Sequence, residues 1–85
     1  MTLEEIKKLE PEQAIETLTS YLVSHPEDDE AYTERGLKYW SINKRKEAIN
    51  DYLTALKINP ESKAKMALEY ANSILDYYNK DLYNP

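Results

Sequence analysis

Cysteine and phenylalanine are absent, glycine occurs once (Gly36), and histidine occurs once (His25). Without cysteine there is no disulfide or thiolate metal site to compensate for a small core. At 85 residues the chain is one domain near the lower limit for a self-sufficient core, so packed side chains must hold it together. A lone glycine and four prolines leave little material for hairpins or strands, while Ala, Leu, Glu and Lys favour helices. No apolar run approaches the roughly 20 residues that span a bilayer. The opening residues MTLEEIKKLE lack the apolar core of a signal peptide. A soluble, cytoplasmic protein is the default expectation. The net charge of −5 disfavours nucleic acid, where affinity comes from neutralising phosphates, and equally an anionic membrane surface.

A single histidine beside a proline offers no catalytic relay, and no glycine-rich phosphate loop exists. The expectation is that the protein is not an enzyme, with no catalytic residues, cofactor or metal ligands. Sixteen acidic residues supply carboxylates, but at helix starts and on solvent faces, where ion pairs contribute little.

What is present is eight tyrosines, one tryptophan and helical periodicity. Thr2 and Glu5 fit a capping box that opens a short helix with Leu3, Ile6 and Leu9 on one side, ending near Glu10. Pro11 ends that helix and opens the next, which runs to Ser24 with Ala14, Ile15, Leu18, Tyr21 and Leu22 on one face. His25-Pro26 stops it. The acidic run Glu27–Glu30 reads as the start of a third helix, because carboxylates there cap free N–H groups and oppose the positive helix end. It lacks the ligand spacing of a calcium loop. The third helix continues to Trp40 or Ser41. Gly36 inside it costs roughly 1 kcal/mol against alanine, which implies close approach of a neighbouring helix. Asn43 suits the left-handed conformation that closes a helix. A fourth helix follows over Arg45–Ile58, with Ala48, Ile49, Tyr52, Leu53, Ala55 and Leu56 on its apolar face and Asn59-Pro60 as its stop. Lys44, Arg45 and Lys46 at its start read as ordinary turn charges. A last helix runs from Ser62 to Tyr78 or Asn79. Leu82 and Tyr83 in the tail are placed to fold back onto it.

Ala14 and Ala48 lie 34 residues apart, as do Pro26 and Pro60, and AIETLTSYLVSHP aligns with AINDYLTALKINP without a gap. Two helices per 34 residues is the period of the tetratricopeptide repeat, and Glu30–Pro60 resembles one full copy. Tyr32, Gly36, Tyr39, Ala48, Tyr52, Ala55 and Pro60 occupy the family's packing slots. Arg35 departs from the pattern, standing where an apolar residue is usual. In the last helix a shift of 35 rather than 34 places Ala71, not Tyr70, opposite Gly36.

The resemblance implies an all-α fold: a right-handed superhelix of antiparallel helix pairs, with about five helices, the first short and the last a cap. The expected divisions are a partial repeat over 1–26, a full repeat over about 27–60 and a capping helix over 61–85. It also implies a protein-interaction module that binds a peptide or helix of another protein in a groove lined by the first helix of each repeat. Carried over by position, that groove is Glu30, Thr33, Leu37 and Trp40, joined from the last helix by Lys65, Leu68, Asn72 and Asp76. Trp40 reads equally as a core residue covered by the last helix. The alternative is self-association into a homodimer through a second stripe, Met66, Tyr70 and Tyr77.

Overall fold

The computed structural model describes the backbone of residues 2–78 and the side chains of residues 2–74. Five helices follow in order: α1 (Leu3–Lys7), α2 (Pro11–Ser24), α3 (Asp29–Ser41), α4 (Arg45–Ile58) and α5 (Ala64–Tyr78). No strand occurs among the described residues. The fold is all-α, as the periodicity requires.

Local chemistry explains the boundaries. The Thr2 hydroxyl accepts from the Glu5 amide while the Glu5 carboxylate accepts from the Thr2 amide, so the capping box is complete. α1 stops at Lys7, earlier than expected, because Glu10 must be extended (ψ 149°) to deliver Pro11 to the first position of α2. Within the acidic run, Asp28 is the residue that caps α3, accepting from the Ala31 amide at 3.2 Å. Its second oxygen accepts the Tyr21 hydroxyl at 2.6 Å, which ties the end of α2 to the start of α3. The His25 ring stacks on Tyr21 with centroids 4.2 Å apart. Asn43 has φ 65°, and this left-handed residue lets the Lys44 amide reach back to the Tyr39 carbonyl at 2.9 Å. α5 begins two residues later than expected. The Ser62 hydroxyl accepts from the Ala64 amide, so Ser62 sits outside the helix and caps it.

α3 is the hub. Its own buried residues, Ala31, Thr33 and Gly36, are small, so its neighbours approach closely. A Cβ added at Gly36 would lie 2.6 Å from Tyr52 Cε1 and 3.1 Å from the Ala48 carbonyl oxygen. That is the close approach expected of an interior glycine. The α3–α4 pair is antiparallel: Asp29 meets Asn59 at one end and Arg35 meets Asp51 near the middle.

Two apolar clusters lie either side of this hub. Ile6, Ala14, Leu18, Leu22 and Ala31 form one, and Ala48, Tyr52, Ala55, Ala64 and Ala71 form the other, with Tyr32 packed against both. Burying a side chain such as Leu18 contributes about 1.5–3 kcal/mol. The molecule is accordingly elongated, 47 × 26 × 17 Å. Ala71 is 1% exposed and Tyr70 62%, so α5 turns Ala71 inward, as the 35-residue spacing predicts. Leu53, expected on the apolar face of α4, is half exposed. It faces a shallow outer depression with Asn50, Thr54 and Lys57. Leu75, Tyr77, Tyr78, Leu82 and Tyr83 lie outside the described side chains.

Candidate functional site

The side of α3 turned away from α2 and α4 carries Glu30, Glu34 and Leu37, one or two helical turns apart on a single stripe. α1 borders this stripe on one side and α5 on the other.

The α1 border is ionic. Lys7 Nζ lies 3.0 Å from Glu4, 3.1 Å from Glu30 and 3.9 Å from Glu34. The hydrogen bonds that it donates to Glu4 and Glu30 hold its ammonium well above the usual lysine range. Burial pushes the Glu34 carboxyl up, and Lys7 partly opposes that shift. Lys38 Nζ donates to the Lys7 carbonyl at 2.8 Å and more weakly to the Leu9 carbonyl at 3.5 Å. A cation from α3 thus satisfies the Lys7 carbonyl that the end of α1 leaves open and reaches that of Leu9 in the connection after it.

The α5 border has two ends. At the first, Thr33 donates to the Asp29 carbonyl, which leaves Ser62 to donate to Thr33 across 3.2 Å. At the second, Trp40 meets the edge of Tyr70, with centroids 6.4 Å apart. Thr33 with Ser62 and Trp40 with Tyr70 keep nearly the same sequence offset, so α3 and α5 run parallel. A cavity of about 190 Å³ opens at the first end, with Asp29, Glu30, Glu61 and Lys63 around it and Thr33 and Ser62 at its base. At the second end Leu37 is 42% exposed, Tyr70 62% and Met66 77%. Trp40 is half-buried, packs against the second apolar cluster, and carries the Arg45 guanidinium 4.7 Å above its ring.

Each expected groove residue now has a place. Glu30 and Leu37 lie on the open stripe, and Trp40 is both core and border. Thr33 needs correction: at 2% exposure its hydroxyl is committed to Asp29 and Ser62, and it is a tether between helices rather than a contact surface. The α5 residues are also reassigned. Tyr70 meets Trp40, and Asn72 points about 200° away around the same helix. Lys65 and Asn72 are exposed on the other flank, and Leu68 packs into the second cluster. The residues beside the α3 stripe are therefore Lys63, just before α5, and Met66 and Tyr70 on it, the last two expected on a separate self-association stripe. Asp76 and Tyr77 lie outside the described side chains.

Sequence reasoning passed over Lys7, Glu34, Lys38 and Lys63. The signal for Glu34 was its spacing from Glu30 and Leu37. Nothing local in the sequence brings Lys7 onto α3. Among the described residues no group of His, Cys, Asp or Glu is arranged to hold a metal ion, and no helix is long and apolar enough to cross a membrane.

No family model, no curated protein and no solved structure matches the chain.

Proposed function

We propose that the chain is a tetratricopeptide-type module, a right-handed superhelix of helix pairs, that acts by binding and holds a segment of another protein against the open stripe of α3. The observation that carries this reading is the apolar strip at Leu37, Trp40, Met66 and Tyr70. Three of its four side chains are substantially exposed, on two helices whose buried residues among those described are all small. Trp and Tyr side chains are enriched among the groups responsible for binding energy, and apolar surface left open beside charged residues marks an interaction site. The net charge of −5 supports a protein partner rather than nucleic acid.

Selection from a displayed peptide library on the immobilised chain tests this, followed by fluorescence anisotropy of the selected peptides. The expected result is binding that Leu37→Ser and Tyr70→Ser abolish while far-ultraviolet circular dichroism stays unchanged. Selected peptides that bind both variants as well as the parent would place recognition elsewhere. A second reading, a homodimer, is favoured by the 77% exposure of Met66 in the same strip. Sedimentation equilibrium separates the two, since a dimer that Met66→Ser dissolves assigns the strip to self-association.

A further inference from the structure

The open stripe of α3 and its α5 border carry two chemically different stations. Glu30 and Leu37, and Thr33 and Trp40, are each seven residues apart on α3. Two helical turns separate the members of each pair by about 10.5 Å along the helix axis. One station is the 190 Å³ cavity, where the carboxylates of Asp29, Glu30 and Glu61 outnumber the ammonium of Lys63 together with that of Lys7, which pairs with Glu30. The other is the apolar strip of Leu37, Trp40 and Tyr70, with Arg45 stacked over Trp40.

We propose that this groove binds an extended, polyproline-II-like segment of a partner, whose Lys or Arg enters the acidic cavity while a bulky apolar residue three positions away rests on Leu37, Trp40 and Tyr70. The inference rests on the groove reading above and adds the chemistry of the occupant. Charge selects the cation for the cavity, because opposite sign steers and orients a partner. Arg45 repels a cation from the far station, so the two ends are not interchangeable. Spacing selects the conformation. A polyproline II segment advances about 3.1 Å per residue with three residues per turn, so positions three apart share a face and lie about 9.3 Å apart. A β-strand instead sends positions three apart to opposite faces. A helix of about 10 Å diameter would ride on the Trp40–Tyr70 contact and be held off the cavity.

Labelled octapeptides carrying Lys-x-x-Leu, in both orders, test this against Gln-x-x-Leu, Glu-x-x-Leu and the shorter Lys-x-Leu, with x alanine or proline. One order of Lys-x-x-Leu is expected to bind tightest and to weaken with added salt. Glu30→Gln with Glu61→Gln, both substitutions at accessible positions, are expected to reduce its affinity by about two- to fivefold for each charge removed. The same pair should leave the Gln peptide unaffected. Gln or Glu peptides binding as tightly as Lys, with Leu37→Ser still abolishing binding, would overturn the cation station and leave the groove standing. Equal binding of Lys-x-Leu would overturn the spacing. If neither these probes nor any library peptide binds, the groove reading falls together with its occupant.

Discussion

Arg35 grips Asp51 with two hydrogen bonds, Nε to Oδ2 and Nη2 to Oδ1, each 2.8 Å long. The pair is adjacent in sequence to the close Gly36–Tyr52 contact between α3 and α4, and Arg35 reaches on to the Thr19 hydroxyl of α2 at 3.2 Å. Its guanidinium also lies 5.6 Å from the Tyr32 ring centroid and 5.8 Å from that of Tyr39. One side chain in a slot expected to be apolar therefore spans three helices. The bidentate fork fits a carboxylate in one orientation, so the pair sets how far α3 and α4 slide along each other.

Removing one member leaves the other charged and largely shielded from water, with 18% of the Arg35 side chain and 7% of the Asp51 side chain exposed. Asp51→Ala is expected to lower unfolding free energy by about 2–4 kcal/mol, since breaking a buried pair strands its partner. Replacing both with leucine removes the stranded charge and is expected to be neutral or stabilising. Urea unfolding of the two variants checks this. A single substitution as mild as the double one would mean that Arg35 finds water when Asp51 is gone.

Gly36 and Tyr52 define the second close contact. Alanine would add roughly 1 kcal/mol of helix propensity, but its Cβ would stand 2.6 Å and 2.8 Å from two ring carbons of Tyr52. Tyr52 is 1% exposed and has nowhere to move. Overpacking of this kind costs about 1–3 kcal/mol, so the clash wins. Gly36→Ala is expected to lower Tm by about 5–10 °C in a domain of this size. In a Tyr52→Leu background the same substitution should cost less, because the ring that it meets is gone. Thermal unfolding of the four proteins of this cycle gives the coupling directly.

These two contacts show what a linear reading reaches. Helix boundaries were legible because prolines, Asn43 and the Thr2–Glu5 box act on their own backbone neighbourhood. Gly36 announced a close approach, since an interior glycine has a cost that something must offset. The Arg35–Asp51 pair was half legible: Arg35 interrupts an apolar pattern, nothing local marks Asp51, and only α3 against α4 brings them together. The groove was less legible. Its α5 border depends on how that helix rolls about its own axis, which Ala64, Ala71 and the Thr33–Ser62 bond decide jointly. Repeat spacing turns Ala71 inward but does not say which flank of α5 meets α3, so Lys65 and Asn72 were expected where Tyr70 and Lys63 stand.

Tyr52 carries a further consequence, visible at alkaline pH. Burial, reinforced by the nearby Asp51 and Glu34 carboxylates, pushes its phenol up to about 12 from an ordinary 10.0. The unfolded chain releases this proton near pH 10 while the folded chain still holds it. Between pH 10 and about 12 the folded state therefore binds more protons, and unfolding free energy falls as pH rises. Below pH 10 the contribution is fully present. Tyr21 is shifted in the same direction, mainly by its hydrogen bond to Asp28, so Tyr52→Phe should reduce the alkaline loss without removing it. Denaturant unfolding at pH 8, 10 and 11 is expected to show a smaller fall for Tyr52→Phe than for the parent. Absorbance at the tyrosinate band should show one tyrosine fewer titrating late. An identical pH slope in both proteins would mean that the Tyr52 hydroxyl ionises as freely in the fold as outside it.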